Sequence, residues 1–260
     1  GNYNVSLGVN TLLANTTGSN NVAVGTYALD ANTTAANNTA VGYASLGANT
    51  IGNSNVALGT SALSSNVSGD RSTALGYNAL SAQNNGTSTY DADNTAVGYN
   101  AMVNITTGIR NVAIGSGALD AEDTGSRNVA IGYGTLSTLN YDGTAYNIAI
   151  GYQAGTLITT GTLNTLIGGL SGDSITTGTL NVSLGLNTTG SYSTALGANS
   201  LRSNTTGRNT AVGNDSLGLN TTGTNNTGLG DSTLYTNTTG GYNVAVGQNA
   251  LDANTTASNN

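Results

Sequence analysis

Asn111-Val112-Ala113-Ile114-Gly115 is the stretch that decides the fold, because Asn128-Val129-Ala130-Ile131-Gly132 repeats it 17 residues later. Near-copies run along the whole chain, among them Asn21-Val22-Ala23-Val24-Gly25 and Asn243-Val244-Ala245-Val246-Gly247. Fifteen pentads begin at residues 4, 21, 38, 55, 72, 94, 111, 128, 147, 164, 181, 193, 209, 226 and 243. The step is 17 residues, except for 22 after residue 72, 19 after 128, 12 after 181 and 16 after 193. A short period of this kind is the mark of a solenoid, in which each repeat buries its apolar face against its neighbours.

Within the pentad the second residue is always Val, Ile or Thr and the fourth always Val, Leu or Ile. Residues two apart on a strand share a face. The expectation is that these two point into the coil. The third residue is Ala or Ser except at Leu166 and Gly228, and it is expected on the outer face, where small side chains let a second chain approach. Ala23, Ala40, Ala57, Ala113 and Ala130 are thus the candidate chain-chain contacts. The fifth residue is always Gly, which suits a corner with positive φ or a close backbone approach. The first is Asn except at Ser72 and Ser193, and stacked Asn side chains can bond to one another and to turn backbones.

After the corner come a small residue and Leu, as at Ala28-Leu29, Ala62-Leu63 and Ala118-Leu119, read as a second, shorter strand that supplies a third inward side chain. An Asn-Thr-Thr-Gly turn follows, as at residues 15–18, 204–207 and 220–223, built from residues that favour turns. Fifteen such coils at the inter-strand spacing predict a rod of roughly 70 Å. Three irregular coils are placed at loops: five extra residues near 84–93, two near 140–145, and a coil from Asn181 that is five short. In the coils from Asn147 and Asn164, Gly155 and Gly172 stand where Leu is usual, and Leu157 with Ile158, and Ile175, are expected to refill the core. The two ends read as uncapped repeats, which predicts a window of a longer array or a unit that stacks end to end.

Composition excludes several classes. Only 7% of residues are charged, the net charge is −7, and Pro, Cys, His, Trp and Phe are absent. A typical globular domain carries about 25% charged residues. The five Arg residues are too scattered to track a phosphate backbone, and no apolar run reaches the roughly 20 residues that span a bilayer. Without His, Cys or Lys, the usual nucleophile and base pairs cannot be assembled.

The tandem Asn-Val-Ala-Ile-Gly pentad, best matched at Asn111–Gly115 and Asn128–Gly132, resembles the head repeats of trimeric autotransporter adhesins and related repeats of phage tail fibres. The resemblance covers essentially the whole chain. It implies a left-handed parallel β-roll, three chains side by side, and a role in extracellular attachment. The unit here is longer than the family's, with the extra length in the Asn-Thr-Thr-Gly turn.

The candidate carboxylates for glycoside hydrolysis or Ca²⁺ binding are Asp91 with Asp93, and Asp120 with Glu122 and Asp123; solvated acidic turns are the simpler reading. Tyr43, Tyr77, Tyr99, Tyr133 and Tyr152 each follow the Gly corner and form either a surface platform for a glycan or partner or a stack that stabilises the coils. The turn threonines raise ice binding as a lesser alternative, although adjacent Thr in an extended stretch face opposite ways. The sequence therefore predicts an all-β parallel β-solenoid over residues 1–260, as a single tandem-repeat array. Its expected role is a non-enzymatic structural or adhesive rod or fibre, at the cell surface, outside the cell or on a virion. It has no catalytic, cofactor or metal residues, nucleic-acid partner or membrane span, and it self-associates as a homotrimer or an end-to-end filament, with a surface glycan or host receptor as a further partner.

Overall fold

The computed structural model describes residues 1–84, 86, 88–185 and 190–260. The fold is an all-β parallel β-solenoid, with no helix among the described residues. It divides into two compact units, Gly1–Gly134 with Asn140–Thr144, and Thr135–Leu139 with Ala145–Asn260. The first unit carries β1 (Val5–Leu7), β2 (Val22–Val24), β3 (Thr39–Val41), β4 (Val56–Leu58), β5 (Gly69–Asp70), β6 (Thr73–Leu75), β7 (Tyr90–Asp91), β8 (Thr95–Val97), β9 (Val112–Ile114) and β10 (Val129–Ile131). The second carries β11 (Ile148–Ile150), β12 (Thr165–Ile167), β13 (Val182–Leu184), β14 (Thr194–Leu196), β15 (Thr210–Val212), β16 (Thr227–Leu229) and β17 (Val244–Val246). Every long pairing is parallel and joins equivalent pentad positions, so that Val112, Ala113 and Ile114 face Val129, Ala130 and Ile131. The 22-, 12- and 16-residue steps keep the same pairing, because register counts pentads and not residues.

The strand faces are the reverse of the expectation. Ala23, Ala40, Ala57, Ala113 and Ala130 are 0% exposed and line the interior, so they are not available as chain-chain contacts. The β-branched and Leu positions on either side of them point outward, with Leu58 44% and Ile114 38% exposed. The reason lies on the opposite wall of the coil. Ala28 and Leu29 are both fully buried, and Leu29 fills a lumen too narrow for a second row of large side chains.

That wall is not a strand. Adjacent residues of a strand face opposite ways, whereas Ala28 and Leu29 both point inward. The backbone manages this by alternating the sign of φ, with Tyr27 at 60° and Leu29 at 50°. The Ala28 N–H donates to the Gly25 carbonyl (3.2 Å), and the Leu29 N–H donates to the Ser45 carbonyl of the next coil (3.1 Å).

Two amide columns explain the Asn residues. The Asn38 N–H donates to Asn21 Oδ1 (2.9 Å), while Asn38 Nδ2 donates to the Gly52 carbonyl of its own turn (2.9 Å). The turn residue Asn32 donates to Asn15 Oδ1 (2.8 Å) and to the Ala35 carbonyl (3.2 Å). Buried amides need such partners, and each finds one in the adjoining coil. Where Ser72 replaces the first Asn, the longer Gln83 replaces the turn Asn, and its amide reaches both Asn66 Oδ1 and Ser72 Oγ (3.1 Å each).

The irregular coils follow the same logic. Gly155 and Gly172 have φ of 61° and 64°, the region Leu29 occupies under strain, and glycine enters it freely. The missing bulk comes from Leu166, the pentad's exceptional third residue, which is fully buried; a Cβ on Gly172 would lie 2.9 Å from both of its methyl carbons. Ile158 and Ile175 complete the filling as expected, but Leu157 is 49% exposed and takes no part. Gly228 is the mirror case: a Cβ there would lie 2.6 Å from Ser216 Oγ and 2.7 Å from Thr233 Oγ1, two inward hydroxyls 2.7 Å apart. Leu166→Ala should therefore cost about 2–5 kcal/mol. Adding Gly172→Leu should recover part of that loss, as read from urea-denaturation midpoints of the second unit.

The long insertion contributes β7, which pairs with β5; its residues 85 and 87 lie outside the described residues. The two-residue insertion folds onto the preceding turn, where the Ser126 N–H donates to the Gly143 carbonyl (2.8 Å). In the shortened coil from Asn181, residues 186–189 lie outside the described residues.

Candidate interaction face

Because the alanines turn inward, positions two and four of every pentad form two outward columns along each unit. In the first unit these run Val5, Val22, Thr39, Val56, Thr73, Thr95, Val112, Val129 and, beside them, Leu7, Val24, Val41, Leu58, Leu75, Val97, Ile114, Ile131. No charged residue stands in either column. Coils lie about 4.8 Å apart and alternate residues of a strand about 6.7 Å apart, so the result is a continuous strip of Val, Thr, Ile and Leu. The second unit repeats it from Ile148 and Ile150 to Val244 and Val246, with many of its members exposed. Uncharged aliphatic patches of this continuity are uncommon on a surface facing only water.

The residues flanking the strip in sequence are mostly polar or aromatic, with Val9, Leu163 and Leu180 among the aliphatic exceptions. Just past the corner stand Tyr43, Tyr77, Tyr99, Tyr133 and Tyr152, all exposed, with Tyr99 at 57%. Tyr77 and Tyr99 stack with ring centroids 5.4 Å apart and planes at 10°, and Tyr43 meets Tyr27 edge-on at 5.9 Å. Stacking between coils and an exposed aromatic surface are thus present together. Just before the pentad stand Arg71, Asp93, Arg110 and Arg127, followed in the second unit by Tyr146, Tyr192, Arg208 and Tyr242. Four of the five Arg residues share this one position in the repeat, a pattern that alignment of the pentads makes visible.

Of the carboxylate candidates, Asp91, Asp93 and Glu122 are engaged by protein groups, whereas Asp120 Oδ1 and Asp123 Oδ1 are buried without a hydrogen-bond partner. Arg71 binds Asp91 at 2.6 Å and Asp93 at 2.8 Å, and Arg110 approaches Asp93 at 3.6 Å. The hydrogen bond from Arg71 holds the Asp93 carboxyl below the usual range, and the same bond raises the Arg71 guanidinium. Glu122 is fully buried at the position that Asn holds in the regular turns, between Ile105 and Leu139 of the adjoining coils. It accepts from the N–H groups of Gly125 (2.8 Å), Asp123 (3.2 Å) and Tyr141 (3.2 Å), and so pins the two-residue insertion. Asp120 and Asp123 flank it, and no group of three or more metal-ligating acids occurs among the described residues. The first Thr of each turn is also committed: the Thr33, Thr221 and Thr238 hydroxyls donate to backbone carbonyls of the next coil at 2.9–3.0 Å, which turns the Thr ladder into a structural one.

Burial pushes the Glu122 carboxyl up. A raised folded-state value means that its stabilising contribution is fully present below the ordinary carboxylate range and is lost as pH rises through the raised value. From about pH 4 to about pH 7 the stability of the native chain should therefore fall relative to Glu122→Gln. Parallel denaturant titrations across that range check this, and parallel curves would show that Glu122 titrates normally.

No helix among the described residues is long and apolar enough to cross a membrane. Comparisons with protein-family models, with curated proteins and with solved structures find no match.

Proposed function

We propose that the chain is a non-enzymatic structural and adhesive segment, a rod or fibre at the cell surface or outside the cell, that works by associating with copies of itself. The observation that carries this reading is the uncharged double column of Val, Thr, Ile and Leu on the outer face of the strands. All-parallel sheets occur almost only with both faces covered. Here the inner face is covered by Leu29 and its equivalents, which leaves the outer face for another chain. Valine, isoleucine and leucine contribute about 1.5–3 kcal/mol each when fully buried, and every coil offers one or two of them, Thr taking the second pentad position in the others. The Arg and Tyr positions that flank them are residue types enriched at protein interfaces. The resemblance of Asn111–Gly115 to adhesin head repeats adds three as the number of chains and attachment as the purpose. A virion fibre segment has the same physical design.

Sedimentation velocity of the 260-residue chain at several concentrations tests the reading. One sharp trimer supports side-by-side packing through the strands. A broad, concentration-dependent series of fast species assigns growth to the coil ends instead. A monomer at all concentrations overturns the proposal.

A further inference from the structure

The second unit has six charged side chains, Asp173, Asp215, Asp231, Asp252 and two cations, Arg202 and Arg208. Both cations border the same irregularity. The coil from Asn181 is five residues short, and a cavity of about 440 Å³ opens beside it, lined by Ser174, Thr177, Ser191, Arg202 and Thr205 among others. A second cavity of about 340 Å³ adjoins it through Ser191 and is lined by Tyr192 and Arg208. The volumes fall in the range of small-molecule sites, about 300–1,000 Å³. Tyr192 is exposed, and the Arg208 guanidinium lies 5.9 Å from the centre of its ring. The adjoining carboxylate is Asp173, whose Oδ1 accepts from Ser174 Oγ at 3.4 Å.

We infer that this notch binds an acidic saccharide, a sugar bearing a carboxylate or sulfate group. The inference rests on the adhesive reading above and names the ligand class. Three features carry it. The planar guanidinium matches a carboxylate or sulfate in two-point geometry, and the notch gathers every cation of an otherwise acidic unit. A tyrosine ring offers an apolar platform with a polar tip, suited to the C–H face of a pyranose. The serine and threonine hydroxyls both donate and accept, as a polyol requires. A nucleic acid or a metal ion would need more cations or more carboxylates than the notch supplies.

The test uses the whole 260-residue chain and calorimetric titration with sialyllactose, a heparin tetrasaccharide and neutral lactose. The chain itself supplies gentle substitutions, because other coils carry Ser64 and Ser81 at the Arg202 position and Asn20 and Asn37 at the Tyr192 and Arg208 position. Arg202→Ser, Tyr192→Asn and Arg208→Asn should each weaken binding of an acidic probe at least about tenfold, while Asp30→Ser, at the position of Ser64 and Ser81 in the first unit, leaves it unchanged. Binding of sialyllactose assigns a carboxylate ligand, and binding of heparin that is lost when the tetrasaccharide is desulfated assigns a sulfate. Equal binding of lactose, equal loss with Asp30→Ser, or no binding of either acidic probe at millimolar concentration overturns the inference. Sedimentation of the same samples reports self-association separately, so a failure of the saccharide site is distinguishable from a failure of the structural reading.

Discussion

Gly115→Ala is expected to destabilise the first unit by more than about 4 kcal/mol, an effect reserved for a few mechanisms. Two of them act together here. The residue has φ of 138°, outside the territory of L side chains, and strain of that kind costs about 1–3 kcal/mol. The added Cβ would also lie 2.2 Å from the Gly132 carbonyl oxygen. That atom is backbone and cannot rotate away. It moves only if the next coil lifts, which breaks the bond from the Gly132 N–H to the Ile114 carbonyl (2.7 Å). Gly247→Ala separates the two contributions, because its φ is 110° and nothing lies within 4 Å of the added carbon. Strain alone should cost that corner about 1–3 kcal/mol. Urea denaturation of both variants is the check. Equal losses would mean that the close stacking of corners is irrelevant.

The second large effect concerns assembly and leaves the fold nearly untouched. Leu58→Asp with Ile114→Asp places two carboxylates in the middle of the outer columns. In an isolated chain both side chains face water, and exposed substitutions on a strand change stability by about 1 kcal/mol or less. In an assembly that buries the columns, each unpaired charge costs several kcal/mol. The dissociation constant should rise more than about a thousandfold, since each 1.4 kcal/mol is tenfold. Sedimentation velocity should therefore show monomers, while circular dichroism and urea midpoints stay close to those of the native chain. Assembly that survives the pair removes the strand face from the interface. The corresponding change at Ala113 would not be informative, because Ala113 is inside the coil and its enlargement would disturb the fold itself.

The repeat length, the glycine corners, the paired Asn positions and the turns were all legible in the sequence, because each is a local requirement written once per coil. The direction of the strand faces was not. A period of two says that Val112 and Ile114 share a face and Ala113 takes the other, but it does not say which face is inside. That choice is made by Leu119 on the opposite wall, a non-local fact. The chain does carry the answer in its exceptions. Leu166 occupies the third position where Gly155 and Gly172 have given up their leucines, and Gly228 occupies it where Ser216 and Thr233 turn inward. Such compensation makes sense only if the third position is internal. The second strand was misread for a related reason: buried neighbours such as Ala28 and Leu29 require alternating φ, and a leucine at +50° has no signature in composition. The tyrosine column was visible, and the arginine column emerges only when the pentads are aligned.

The two amide columns have a consequence for how such a protein changes over generations. Each Asn satisfies a group of the coil before it and offers an equivalent unmet group to the coil after it. A regular coil, such as that from Asn21 or Asn38, therefore has no identity of its own, only a place in a queue. Duplicating or deleting such a coil restores its ladder hydrogen bonds with partners of the same kind, so unequal exchange between regular repeats alters reach without creating a new surface to be optimised; the coils tied by Ser72 with Gln83, or by Leu166 with Gly155 and Gly172, are the exceptions. Deleting part of a coil is tolerated only outside the pentad, as the 12-residue step after Asn181 illustrates. Length is thus the property of this molecule that selection can adjust in single strokes, while its cross-section is held fixed.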